Sequence, residues 1–270
     1  MIAKDWLPRF LRRDRAHVQP SGFHGDYASW EDARRASQGY DDGAILEKTR
    51  VASAAARDDE SVFERDSVLL PRPERPYPLL ACLLAAALKA GGRLSVLDFG
   101  GSLGSTYFQC RPFLSGIDHL RWAVVEQPHY VVVGRREFTS EVLGFHDTPE
   151  AACVAVTPDV LLLSGVLAYL SDPYEMLERL LGLRIPSIVV DRTPFLCSDR
   201  DRLTVQVVPP EIYPASYPAW FFGQTRLLST FDRAGYRVAE EWPCVDDYSP
   251  DGDRAAYKGF LFVGRESKAS

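Results

Sequence analysis

The chain has 270 residues, of which 46% are hydrophobic and 25% charged, and its net charge is −6. That length holds one large α/β domain with an extension or two small domains, and the composition allows a core of normal size. The acidic balance excludes the basic footprint of a general nucleic-acid binder. The five cysteines are Cys82, Cys110, Cys153, Cys197 and Cys244. They include no C-x-x-C pair, so zinc and thioredoxin-like readings have no support. Their odd number and wide spacing fit reduced thiols and a cytoplasmic chain.

Residues 1–13 lack the continuous apolar core of a secretory signal. They mix Trp6, Leu7, Phe10 and Leu11 with Lys4, Arg9, Arg12 and Arg13, which suits peripheral contact with an anionic membrane surface. Pro8 interrupts that pattern, and a mobile terminus is the simpler reading. Residues 21–26 carry two glycines and read as a loop. Ser29, followed by Trp30, Glu31 and Asp32, reads as the cap of a helix. Gly39 and Gly43 break that helix, and a second is expected over 44–57. The proline-rich stretch 71–78 lacks N–H donors and reads as an extended connector. The domain boundary is placed there: an N-terminal helical extension over 1–76 and the main domain over 77–270. The apolar run 79–90, interrupted by Lys89, is too short to span a bilayer and reads as a buried helix.

The rest of the chain is organised around residues 94–104. Leu94, Val96 and Leu97 read as a buried strand closed by Asp98, and Gly100, Gly101 and Gly104 follow as a turn that lets a ligand approach. Thr106, Tyr107 and Phe108 begin a helix. A strand, a glycine turn and a helix start make a nucleotide-binding corner. The dinucleotide fingerprint G-x-G-x-x-G does not fit, because Ser102 and Ser105 stand where its second and third glycines belong. A second apolar strand, 122–126, ends in Glu126, twenty-two positions after Gly104. An acid at that place suits a ribose diol; a solvated strand terminus is the bland alternative.

Beyond Glu126, a helix is expected over 129–137 and a third strand over 141–145. Thr148 and Pro149, then Asp172, Pro173 and Glu175, mark two further helix starts. Residues 159–163 and 187–191 read as buried parallel strands. Arg192, Thr193 and Pro194 leave the second of these at its ligand-facing end. Residues 203–222 are rich in proline and aromatics, 224–235 read as a helix ended by Gly235, and strands at 236–242 and 257–263 close the chain. The alternation implies a mostly parallel sheet covered on both faces. A final antiparallel strand pair favours a methyltransferase-type over a nicotinamide-type sheet.

Asp98 to Gly104 (D-F-G-G-S-L-G) resembles the first motif of class I S-adenosylmethionine-dependent methyltransferases, with Ser102 in place of the middle glycine. The motif order continues with V-V-E-Q-P at Glu126, 159–174 and I-V-V-D-R-T-P at Asp191. With 22–27, Ser29, Trp30 and 213–218, the chain is similar to methyltransferases of bacterial surface-polysaccharide gene clusters. The resemblance implies a Rossmann-like fold, a seven-stranded sheet with an antiparallel C-terminal strand, and S-adenosylmethionine as cofactor. It implies that Asp98, Gly100, Gly101, Gly104 and Glu126 hold the cofactor, with Phe145 or His146 near the adenine and Ser164, Gly165 and Val166 flanking it. For Phe145, core packing is the alternative.

Methyl transfer to a hydroxyl needs positioned reactants and a general base. Asp191 is the first candidate, ahead of His146 and His24, although Arg192 beside Asp191 offers a purely structural pairing. Tyr213, Tyr217, Trp220 and Phe221 are candidates for stacking on a sugar acceptor, the alternative being an aromatic cluster, shared with Trp30, that packs the N-terminal segment onto the sheet. No His and carboxylate cluster has ligand spacing, so no metal is expected. The expected activity is O-methylation of a sugar or glycan precursor. The rivals are a non-catalytic interaction protein of the same fold and a nicotinamide-dependent oxidoreductase.

Overall fold

The structure is a computed structural model and describes residues 20–37 and 42–265. The basic segment 1–13 and most of the helix break at 39–43 lie outside the described residues. In chain order, β1 (Gly22–Tyr27), α1 (Trp30–Ala36) and α2 (Asp42–Asp58) precede a short hairpin of β2 (Phe63–Arg65) and β3 (Val68–Leu70). Then come α3 (Tyr77–Lys89), β4 (Arg93–Phe99), α4 (Ser105–Leu114), β5 (His119–Val125), α5 (Pro128–Glu137), β6 (Leu143–His146), α6 (Pro149–Val156), β7 (Val160–Ser164), α7 (Pro173–Gly182) and β8 (Ser187–Leu196). The chain closes with β9 (Arg202–Val207), β10 (Ser216–Phe221), α8 (Gln224–Arg233), β11 (Tyr236–Pro243) and β12 (Ala255–Gly264).

Seven strands form the main sheet in the order β11-β12-β8-β7-β4-β5-β6. The pairs of β4 with β5 and β7, of β5 with β6 and of β7 with β8 are parallel; β12 is antiparallel to both β8 and β11. This is the Rossmann-like methyltransferase arrangement, with one antiparallel strand near the C-terminus. Alternation along the strands supplies two cores. On one face Val96, Trp122, Val124 and Val189 pack with α3, α4 and α5. On the other, Leu97, Leu161, Leu163 and Val190 pack with α6, α7 and α8.

The helix starts are made by local chemistry. Ser29 accepts from Asp32 N at 3.2 Å, Thr148 from Ala151 N at 3.2 Å and Asp172 from Glu175 N at 3.0 Å. Pro149 and Pro173 take first-turn positions, where the missing N–H costs nothing.

Two expectations are corrected, for 21–26 and for the end of β8, and the stretch 203–222 gains a structure. Residues 21–26 are not a loop: β1 pairs antiparallel with β9, Gly22 facing Val207. Residues 203–222 contain two strands, so that β1, β9 and β10 form a separate three-stranded sheet. The N-terminal segment therefore contributes strand as well as helix. Finally, β8 continues past Asp191 to Leu196. It leaves β7 at Asp191, which faces Ser164, and goes on beside β12, with a bridge from Phe195 to Phe222 just past β10 on its other edge. The departure is a bend at Arg192, held at φ 53, opposite a register shift between Lys258 and Phe260.

Candidate functional site

The chain runs β4, β5, β6 to one side of β4 and then crosses back to place β7 on the other side. The crevice outside the carboxyl ends of β4 and β7 is the topological switch point, where open α/β sheets bind ligands. The turn 100–104 lies there. Gly100 has φ +75, and a Cβ on it would run into the Val166 side chain that follows β7. Gly104 has φ +95 and caps α4; a Cβ there would lie 2.9 Å from Leu143 Cδ2. Both positions need glycine on two counts, conformation and space. Ser102 takes φ 55 without being glycine, which is how a serine fills the middle place of the turn.

Asp98, at the end of β4, is only 1% exposed. Its Oδ2 accepts from Trp122 Nε1 at 3.0 Å, across the β4–β5 pair. A Cβ on Gly101 would collide with this carboxylate, so the turn folds directly over it. Burial raises the Asp98 pKa to about 7, with the Trp122 hydrogen bond opposing the shift and Glu126 reinforcing it. Glu126 stands just past β5; its Oε2 accepts from Gln127 N at 2.7 Å. Burial also raises its pKa, while the backbone N–H groups of Gln127 and Ser102 hold it down. The Glu126 carboxylate thus ties the glycine turn to the neighbouring strand. Asp98 and Glu126 flank the turn on adjacent strands, where the sequence placed them.

The other side of the crevice is built by groups far apart in the chain. A Cβ on Gly165 would lie 3.7 Å from Arg192 Nη1. Arg192 donates to both carboxylate oxygens of Asp66, at 3.2 Å from Nη1 and 2.5 Å from Nη2, and to Asp246, at 3.2 Å from both Nε and Nη2. Asp66 and Ser67 form the two-residue turn of the β2–β3 hairpin, both at positive φ. Desolvation by its neighbours opposes ionisation of the Asp66 carboxyl, which is still open to solvent, but the Arg192 charge and hydrogen bonds outweigh it and hold its pKa below the ordinary value. Next to this triad, Tyr169 donates to Gln206 Oε1 at 2.9 Å and packs edge-on to Tyr217 at 5.6 Å. The Tyr213 and Tyr217 hydroxyls are 3.4 Å apart. Tyr169 is 43% exposed, so the group opens to solvent.

Several expected site residues stand elsewhere. Phe145 is 3% exposed and packs against Gly134 of α5, so its ring belongs to the core and offers no face to an adenine. Asp191 is buried, and its Oδ1 accepts from Trp242 Nε1 at 3.0 Å and Cys244 Sγ at 3.5 Å. Its Oδ1 is held by these two donors, and Arg192 pairs with Asp66 and Asp246 instead of with it. His146 lies on β6, four strand spacings or about 19 Å from β8, so Asp191 and His146 do not meet at one centre. Burial and then Arg135 lower the His146 pKa. His24 has both ring nitrogens engaged, with Asp251 at 2.7 Å and Pro20 O at 2.6 Å, and is no free base. Tyr217 and Trp220 stand an odd number of places apart on β10 and so face opposite ways. Trp220 packs with Trp30, Leu203 and Val205 and donates to Leu170 O at 3.0 Å, while Phe221 is fully buried. These two aromatics hold the small sheet in place.

The residues that sequence reasoning missed are Glu64, Asp66, Tyr169, Gln206 and Asp246. Glu64 is 1% exposed on β2; its Oε1 accepts from Ser67 N at 2.7 Å. The available signal was the Asp66-Ser67 pair ahead of the apolar run Val68-Leu69-Leu70, a weak hairpin mark. Among the described residues, no group of three His, Cys, Asp or Glu is placed to hold a metal ion, and no helix is long and apolar enough to cross a membrane.

No protein-family model matches the chain, and no curated protein matches it. Among solved structures, the chain is similar to the N-terminal domain of EvdMO1 with S-adenosylhomocysteine bound, at 14% identity over 81% of this chain and 96% of that one, with a TM-score of 0.47. It is also similar to magnesium protoporphyrin IX methyltransferase from Synechocystis, at 10% identity over 83% of this chain and 100% of that one, TM-score 0.49. Human N-acetylserotonin methyltransferase shares 16% identity over 81% of this chain and 56% of its own, TM-score 0.45.

Proposed function

We propose that the chain is an S-adenosylmethionine-dependent methyltransferase that O-methylates a sugar or glycan precursor. The observation that carries this reading is the pair of acids, Asp98 and Glu126, on adjacent strand ends flanking the glycine turn at the switch point. The residues fit that cofactor: a turn whose Gly100, Gly101 and Gly104 carry no Cβ, a carboxylate beneath it, and a second carboxylate beside it for a ribose diol. Bound there, the cofactor supplies a methyl group on a positively charged sulfur.

In this reading the protein's own work is positioning and exclusion of water. Gly100 and Gly104 let the backbone come close, Glu126 accepts the ribose hydroxyls, and Ser164, Gly165 and Val166 close the β7 side. Tyr169, Tyr213 and Tyr217 present hydroxyls and ring faces to an acceptor. The extension 1–76 serves as cap: β1 completes the small sheet that carries Tyr217, and the β2–β3 hairpin docks on Arg192.

The test is calorimetric titration with S-adenosylhomocysteine on the native chain and on Asp98→Ala with Glu126→Ala. Native binding that weakens about a hundredfold or more in the double variant supports the reading. A methyl-transfer screen on sugar nucleotides and glycans then identifies the acceptor. A non-catalytic binding protein of the same fold is the second reading, favoured by the fact that Asp191 is held by Trp242 and Cys244. Cofactor binding without turnover on any acceptor selects it.

A further inference from the structure

Glu64 is buried to 1% exposure, and its Oε2 has no hydrogen-bond partner. A carboxylate oxygen in that condition is costly unless a donor meets it. Its surroundings locate the missing donor. Glu64 sits on β2, which packs against α4. The hydroxyl of Ser105, the first residue of α4 after the glycine turn, donates to the carboxyl group while Oε2 stays without a partner, and the charges of Asp66 and Arg192 reach it. Arg192 in turn stands against Gly165, and Val166 against Gly100. Glu64 therefore closes a ring whose other members are the glycine turn, the end of β7 and the Arg192 triad. Around that ring the carboxylates of Glu64, Asp66 and Asp246 outnumber the cations that face them, Arg192 and, at Asp66, Arg65, so the local balance is acidic and suits a positively charged group.

We propose that Glu64 is a cofactor-binding residue: its Oε2 accepts a hydrogen bond from the ammonium of the amino-acid half of the cofactor, held between the glycine turn and the β2–β3 hairpin. This rests on the cofactor reading given above. The ammonium brings the donor that Oε2 lacks and the charge that a buried carboxylate needs, a charge-assisted hydrogen bond of the strong kind. The hairpin is then part of the binding machinery. Its Asp66-Ser67 turn fixes Glu64 through the Ser67 N–H, the Ser67 hydroxyl meets Thr49 of α2 at 2.7 Å, and Arg192 pins the turn to the sheet.

The experiment compares two ligands on the full chain and on Glu64→Gln by calorimetry. S-adenosylhomocysteine carries the amino-acid half; 5′-methylthioadenosine lacks it. The expected result is about tenfold weaker S-adenosylhomocysteine binding in the variant with methylthioadenosine affinity unchanged. Equal S-adenosylhomocysteine affinity in both chains overturns the assignment. An equal loss for both ligands also overturns it, since Glu64 would then only shape the pocket. If the folded native chain binds neither ligand, the cofactor reading itself fails. Glu64→Gln keeps the side-chain shape and removes a buried charge, so its thermal midpoint is expected to equal or exceed that of the native chain. Glu64→Met, of similar length, serves as the second variant should the amide not be accommodated.

Discussion

The two sides of the crevice are built in opposite ways. The β4–β5 side draws Asp98, the glycine turn, Trp122 and Glu126 from one stretch of about thirty residues, a single βαβ unit. The far side draws Glu64 and Asp66 from a hairpin, Tyr169 from the segment after β7, Arg192 from β8, Gln206 from β9, Tyr217 from β10 and Asp246 from the loop before β12. Adjacent strands of one unit hold the first side rigidly inside the larger cores. The second side depends on β1, β9 and β10 finding one another over long separations, with a smaller core of Phe23, Leu196, Ala219 and Phe221. A βαβ unit fixes the glycine-turn side, and pairings of high sequence separation build the side that faces it.

Breaking the first side should cost most. Trp122 is fully buried and also supplies the hydrogen bond to Asp98. Trp122→Ala is expected to destabilise by about 4–5 kcal/mol in chemical denaturation, a large-to-small loss with a buried acceptor left unpaired. A stability change under 1 kcal/mol would contradict the rigid-corner picture.

The next effect is one of pH. Burial raises Asp98 from its ordinary 3.8 to about 7, so the folded chain holds this proton more tightly than the unfolded one. Its contribution is full below pH 4 and is lost as the pH rises to about 7, three units at about 1.4 kcal/mol each, or about 4 kcal/mol. Burial raises Glu64, Glu126 and Asp191 in the same direction, so the informative quantity is the difference between native chain and Asp98→Asn. That difference in unfolding free energy should grow between pH 4 and 7 in favour of the variant. A constant difference would show that Asp98 ionises normally.

On the far side, Phe23→Ala tests whether β1 is a separable element. Phe23 is 5% exposed and meets Phe221 edge-on at 5.0 Å. The change should cost about 3 kcal/mol, read as loss of amide protection in β1 and β9 with S-adenosylhomocysteine affinity retained. Loss of cofactor binding in parallel would merge the two sides into one unit. The smallest effect is expected from Tyr169→Phe, which removes the hydroxyl bonded to Gln206. It should raise the acceptor KM by about fivefold, one hydrogen bond's worth, and leave cofactor affinity alone.

The same division separates what each level of description reveals. Capping at Ser29, Thr148 and Asp172 is local chemistry, a side-chain oxygen and an N–H three residues on, so the helix starts were legible. So were the apolar runs of β4, β5, β7 and the first half of β8, with Asp98 and Glu126 closing the first two, because parallel strands buried on both faces are continuous apolar stretches. β1 was not legible, since its two glycines look like a turn and its partner, β9, lies 180 residues onward. The bend at Arg192 was hidden as well, because it exists only where β8 leaves β7 and stays with β12.

The sequence by itself determined the alternation of strands and helices from β4 to the start of β8 and the two carboxylates around the glycine turn, for these depend on neighbours within one supersecondary unit. Only the tertiary structure decided that Asp191 is held by Trp242, that Phe145 turns inward against Gly134, and that Arg192 gathers Asp66 and Asp246. Each of those outcomes is a contest between partners distant in the chain. Burial, charge and space at the meeting point settle it, and none of these is written in the residues on either side.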